Sequence, residues 1–261
     1  MLLSVEQLSV AYPVRGQKPF VAVHDVSFTV DAGQSFGIVG ESGCGKTSMA
    51  KALMGIHPPS AGRMIFEGRN VVQMKGPQFK EYRRSVQMVF QDAVGSLNPR
   101  MTVQQMLEEV LRVHRMRPSD QIQARVLELL DRVGLPSDVL HAYPREMSGG
   151  QCQRVSIARC LALEPRLIIA DEPVSALDVS VQARILNLIR TLQAELNLAV
   201  ILISHDLAVV RNICDCVAVM YQGQFVETGV ASNVMDHPQH AYTKTLLAAV
   251  PDVGRGMKQS V

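Results

Sequence analysis

Residues 40–47, Gly-Glu-Ser-Gly-Cys-Gly-Lys-Thr, decide the fold. They fit the pattern G-x-x-x-x-G-K-[ST] in full. They stand between a short apolar run, SFGIVG, and KTSMAKALMG, in which Met49, Leu53 and Met54 recur at helical spacing. Strand, glycine-rich loop and helix in that order make a cradle for phosphate. Gly40, Gly43 and Gly45 let successive N–H groups turn inward, the helix N-terminus adds positive potential, and Lys46 brings a point charge to the β- and γ-phosphates. Thr47 is expected to hold Mg²⁺ through its hydroxyl, and the nucleotide-contacting stretch runs through Glu41, Ser42, Cys44 and on to Ser48. Cys44, close to the helix N-terminus and Lys46, is expected to react with bulky thiol reagents, with bound nucleotide protecting it.

Downstream, the apolar run LIIA ends in Asp171 and Glu172. A carboxylate leaving the carboxyl end of a buried strand beside a phosphate loop can organise Mg²⁺, and the next one can reach a water in line with the γ-phosphate. Asp171 is therefore assigned to the metal and Glu172 to the water; taken alone, the pair would read as well as a helix cap or a solvated turn. His205 follows LILIS at the end of another strand and points at the same pocket. Ser148-Gly149-Gly150-Gln151 precedes CQRVSIARCLAL, so Ser148 caps a helix, and two glycines clear the backbone for a second anion. A phosphate loop already wraps its own nucleotide. The second cradle is thus expected to close on the γ-phosphate held by a facing protomer, with two nucleotides sandwiched head to tail.

Between these motifs the pattern alternates. LLSVEQLSV and FVAVHDVSFTV suggest an antiparallel layer at an edge, RMIFEG and SVQMVF two further strands, and residues 92 to about 160 an all-helical insertion opening at the cap Thr102. RLIIAD, a helix at about 179–196, LAVILIS, CVAVMY and QFVETG then complete a mostly parallel α/β sheet expected to carry helices on both faces, followed by a helical tail at about 230–261. The whole chain, 1–261, reads as one domain with a lobe.

The 26 basic and 24 acidic residues leave a formal charge of +2, too little to neutralise nucleic-acid phosphates, so nucleic acid is not expected as a partner. MLLSVEQLSV meets Glu6 before any long apolar run, unlike a signal peptide or membrane span, and a cytoplasmic location is expected. Five cysteines without paired spacing argue against disulfides or a structural metal.

GESGCGKT, Gln91 in VFQD, MSGGQ, LIIADEP, SALD at 175–178 and His205, in this order, resemble the ATP-binding-cassette (ABC) ATPases over nearly the whole chain. The resemblance implies that Tyr12 stacks on adenine, that Gln91 contacts Mg²⁺ and relays nucleotide state to the helical lobe, and that Asp178 lies at the dimer interface. ATP and Mg²⁺ are the implied ligands. SLNPR at 96–100 and HPQHAYTKTLLAAVPD at 237–252 are similar to the peptide and nickel importer branch. That similarity implies a subunit on the cytoplasmic face of the bacterial inner membrane. There it would be paired with a second, different ATPase subunit and two transmembrane permeases, and fed by an extracytoplasmic solute-binding protein. A soluble ABC-family ATPase acting on nucleic acid or ribosomes is the alternative. Cargo is selected by other subunits and is not written in this chain.

Overall fold

The computed structural model describes residues 1–249; the part of the expected C-terminal tail beyond them lies outside the described residues. In chain order the elements are β1 (Leu3–Tyr12), β2 (Phe20–Val30), β3 (Ser35–Val39), α1 (Lys46–Leu53), β4 (Ala61–Phe66), β5 (Arg69–Asn70), α2 (Gly76–Ser85) and β6 (Val86–Val89). There follow α3 (Ala93–Ser96), α4 (Val103–Val113), α5 (Ile122–Arg132), α6 (Gly149–Leu161), β7 (Leu167–Asp171), α7 (Val179–Leu196) and β8 (Ala199–Ser204). The described chain closes with α8 (Leu207–Ile213), β9 (Cys216–Tyr221), β10 (Gln224–Val230), α9 (Ala231–Asp236) and α10 (Ala241–Ala248).

Two sheets form. The larger has the order β10-β9-β3-β8-β7-β6, parallel throughout except for the antiparallel β9–β10 hairpin at its edge. The turn of that hairpin, Gln222–Gly223, has positive φ at both residues (45° and 83°), the geometry that matches the twist of the paired strands. Strands β3, β7 and β8 are buried along their whole length, which is why SFGIV, LIIAD and AVILIS read as continuous apolar runs. The smaller sheet, β2-β1-β4-β5, is antiparallel.

Successive side chains of the central strands feed two separate cores, as a period of two requires. Ile169, Ile201 and Ile203 join one with Leu3, Val5, Leu8, Met49 and Leu53; Ile168, Val200 and Leu202 join the other with the helices. Helices therefore lie on both faces, as expected. On one face α1 shares the cover with the antiparallel sheet, because β1, β2 and β4 turn an apolar row inward that only another apolar layer can bury.

Between β6 and β7 the chain is helical. Thr102 opens α4 with a reciprocal cap: its hydroxyl accepts the Gln105 N–H (3.3 Å), and the Gln105 side chain accepts the Thr102 N–H (2.9 Å). Helices α4 to α6 pack their apolar faces on one another and on β7 through a common core. Among the described residues no helix is long and apolar enough to cross a membrane.

Candidate nucleotide site

The loop at 40–45 joins β3 to α1 at the carboxyl end of the parallel sheet, where this fold leaves room for a ligand. Its conformation is one only glycine adopts freely: φ is 157° at Gly40, 81° at Gly43 and 112° at Gly45. A Cβ on Gly40 would lie 2.2 Å from the Met220 carbonyl and one on Gly45 2.3 Å from the Ala22 carbonyl, whereas one on Gly43 would meet open space. Backbone walls the first and third glycines; the middle one faces outward. Lys46 is buried, and its Nζ donates to the carbonyls of Gly40 (2.7 Å) and Glu41 (2.8 Å). Glu41, Ser42 and Thr47 are exposed and Ser48 is half-buried.

Cys44 departs from the sequence expectation. It is 7% exposed, with Lys46 Nζ 3.6 Å from its Sγ, so a bulky reagent reaches it only if the loop opens.

Asp171 ends β7, with the Thr47 hydroxyl beside its carboxylate. Burial raises its pKa above the ordinary carboxylate range; the Thr47 hydroxyl opposes that, Glu172 adds to it, and Lys46 and Lys51 pull it back down. A carboxylate kept from water and set beside a hydroxyl is suited to a small hard cation, which would repay the cost of burying its charge. Among the described residues no three His, Cys, Asp or Glu side chains gather in a group that could hold a metal. Such a cation would therefore complete its shell with substrate oxygens and water, the habit of Mg²⁺.

Glu172 continues the ladder with its N–H to the Ile203 carbonyl (2.9 Å) and then turns sharply, with φ at 46°. A non-glycine residue held in the left-handed region carries local strain, of the kind that aims a side chain at a functional site. Its carboxylate lies between two partners: Gln91 Nε2 donates to Oε2 (3.0 Å), and His205 Nδ1 is 3.4 Å from Oε1. Ser175, the first residue of SALD, to which the sequence alone assigns no role of its own, accepts from the same Gln91 nitrogen (3.2 Å) and donates to the Glu172 carbonyl (3.2 Å). The Gln91 amide nitrogen is thus engaged by Glu172 and Ser175.

Tyr12 ends β1. Its ring stacks on His57 at 4.4 Å and 21°, and His57 Nε2 is 3.1 Å from the Ala11 carbonyl. One face of the ring is therefore covered, and a base would have to use the other.

The second cradle stands at the N-terminus of α6. The Ser148 hydroxyl accepts the Gln151 N–H (3.2 Å), and Gln151 Oε1 accepts the Ser148 N–H (2.8 Å). Asp178 caps α7 beside it, accepting from Val181 N–H (2.9 Å) and Ser180 Oγ (2.7 Å), and these hydrogen bonds, the Ser180 hydroxyl first, hold its carboxyl below its usual range. No hydrogen bond or ion pair among the described residues ties this tip to the phosphate loop or to Glu172.

The two glycines have a reason the sequence did not reveal. A Cβ on Gly149 would lie 3.1 Å from Leu177 Cδ2, and one on Gly150 2.6 Å from Val181 Cγ1, so both let α6 approach the start of α7. Gly150→Ala is expected to lower stability by a net ~1 kcal/mol, because overpacking against a stiff β-branched side chain outweighs the gain in helix propensity. Chemical denaturation would read the loss, and Val181→Ala in the same chain should recover most of it.

Comparison with known proteins places the chain among relatives of one kind. The family model described as ABC transporter matches residues 23–175. The oligopeptide transport ATP-binding protein OppF of Haemophilus influenzae is 44% identical over 260 residues, 96% of this chain and 78% of that protein. The glutathione import ATP-binding protein GsiA of Pectobacterium atrosepticum is 44% identical over 268 residues, all of this chain and 43% of that protein. Among solved structures, the dimeric ATP-binding cassette MJ0796 in a post-hydrolysis state with ADP and Pi superposes with a TM-score of 0.78 and 26% identity, covering 88% of this chain and 99% of that one. CbiO1 of Clostridium perfringens, part of an ABC transporter complex, gives 0.79 at 29% identity, covering 90% and 91%.

Proposed function

The chain belongs to the ABC transporter family, and from this membership we infer that it is the ATP-hydrolysing subunit of a peptide importer. It would dock on the cytoplasmic face of a bacterial inner membrane against two permease subunits, with an extracytoplasmic solute-binding protein delivering the cargo. The observation that carries the reading is the convergence of Lys46, Asp171, Glu172, Gln91 and His205 at one end of the sheet, with a second anion cradle standing apart from it. The named relatives, one for oligopeptides and one for glutathione, favour peptide cargo over nickel.

Within the site, the loop N–H groups and Lys46 bind the triphosphate, Lys46 exchanging two neutral carbonyls for phosphate oxygens that make stronger, charge-assisted bonds. Mg²⁺, held from the protein side by Thr47 and Asp171 with Gln91 nearby, would neutralise charge on the phosphates. Glu172 orients a water toward the γ-phosphorus and accepts its proton as the new P–O bond forms and the bond to ADP breaks. His205, 61% exposed beside it, is placed to donate to the γ-phosphate. Tyr12 offers the open face of its ring to adenine.

Ser148 to Gln151 of one subunit close on the γ-phosphate held by the other. Asp178 and the neighbouring Val179, which is 81% exposed for an apolar side chain, lie at that contact. Nucleotide then shifts the equilibrium toward the closed dimer by its differential affinity for the two states, and the two-cradle site supplies that difference.

Reconstituted in proteoliposomes with its permeases and binding protein, the chain is expected to accumulate labelled oligopeptide only with ATP and Mg²⁺, and EDTA should stop both uptake and hydrolysis. Uptake independent of ATP, or peptide failing to enter while another solute does, would overturn the assignment.

A further inference from the structure

The last described helix touches the phosphate loop, through residues 201 positions apart in sequence: the Glu41 N–H donates to the phenol oxygen of Tyr242 at 3.2 Å. Tyr242 lies in the first turn of α10, and its ring packs on Tyr221 with centroids 4.2 Å apart. Tyr221 ends β9 just before the Gln222–Gly223 turn, whose Gly223 N–H donates to the Cys44 carbonyl (2.9 Å).

Helix α10 is itself moored. The Glu227 carboxylate on β10 accepts the N–H groups of Gln239 (2.8 Å) and His240 (3.0 Å), and His240 Nδ1 accepts the Tyr242 N–H (3.2 Å). Leu246 and Leu247 pack on the helical-side core. The phenol therefore sits on a fixed support. Burial pushes its pKa above the usual tyrosine range, so it is a neutral hydroxyl throughout the physiological range.

Glu41 is consequently gripped from two directions. Its carbonyl accepts Lys46 Nζ inside the loop, and its N–H turns outward to Tyr242. An N–H engaged outward is not one of those converging on phosphate; its role is to fix the peptide plane from which the loop starts.

We propose that Tyr242 is a positioning residue for nucleotide binding: its phenol holds the Glu41 peptide, and with it the phosphate loop, in the form that receives the triphosphate. Helix α10 is thereby a tuning element for ATP affinity. This rests on the ATPase reading above and deepens it.

The test compares the full chain with Tyr242→Phe, which removes one oxygen and keeps the ring. With MgATP, KM is expected to rise about two- to tenfold, the range of one net hydrogen bond, while kcat stays within about twofold. The melting temperature without nucleotide should not move, and amide exchange in a peptide spanning 38–45 should quicken while one from α7 stays the same. Tyr242→Ala should raise KM and quicken loop exchange at least as much, with a lower melting temperature because the ring that packs on Tyr221 is lost as well. Unchanged KM and loop exchange would overturn the proposal, as would a fall in kcat and melting temperature at constant KM, the mark of a merely structural tyrosine. A separate outcome, turnover in the unaltered chain no higher than in Lys46→Ala, would remove the ATPase reading itself.

Discussion

Glu172→Gln is expected to lower ATP turnover by about 10²- to 10⁴-fold, the usual range for loss of a positioned general base, while leaving ATP binding intact. The substitution is close to shape-neutral. Glutamine can occupy the same left-handed backbone, its carbonyl oxygen can still accept from Gln91 Nε2, and the ladder bond from residue 172 to the Ile203 carbonyl does not involve the side chain. What disappears is the negative charge that draws the proton from water. Binding without turnover should then accumulate the closed state. Size-exclusion chromatography with MgATP is expected to show a dimer in the variant where the unaltered chain gives mostly monomer, or a heterodimer when the second ATPase subunit is supplied. Turnover above a tenth of normal would take the water-positioning role away from Glu172. A monomer with ATP bound would take the second cradle out of the mechanism.

Lys46→Ala should act earlier, on binding. The side chain is 5% exposed, and its Nζ donates to two backbone carbonyls of the loop. Two charge-assisted hydrogen bonds to phosphate at ~1.5–3 kcal/mol each amount to about a hundredfold or more in ATP affinity. Calorimetric titration with MgATP reads this directly. The nucleotide-free chain should also lose ~1–3 kcal/mol, since both carbonyls lose their donor in a buried setting. The two effects separate: the variant melts lower without ligand, and added MgATP no longer raises its melting temperature. A variant that still shifts with MgATP would place the main phosphate contact elsewhere.

Much of the architecture was legible because its signals are local. The α7 boundaries follow from Asp178 at the cap and Ile185, Ile189 and Leu192 at helical spacing; β3, β7 and β8 announce themselves as unbroken apolar runs. Helix α2 did not, since of GPQFKEYRRS only Tyr82 is buried and a single buried residue has no period. Helix α8 is short, although Asp206, accepting from the N–H groups of Ala208 and Val209, was a readable start signal. The antiparallel layer was legible but its strand order was not, because pairing depends on partners far apart in sequence; β1 lies between β2 and β4, and nothing local says so.

The site divides the same way. Glycines, Lys46, Asp171 and Glu172 carry their chemistry in their spacing. Ser175 and Tyr242 do not: a serine in a turn and a tyrosine in a short helix far along the chain acquire meaning only from what they touch, Gln91 in one case and Glu41 in the other. The burial of Cys44 was likewise invisible, since the neighbouring sequence is glycine-rich and polar while the core it joins includes Met220 on a distant strand.

The backbone of Glu172 also limits what can replace it. Because φ is 46° there, a library randomised at this codon would sort on two independent grounds, conformation and charge. Asparagine, aspartate and glycine tolerate the bend at little cost, whereas valine, isoleucine and threonine resist it whatever their chemistry. Inactive clones would thus fall into two kinds, soluble ones that lack the carboxylate and poorly folded ones that cannot make the corner, and only the first would report on hydrolysis.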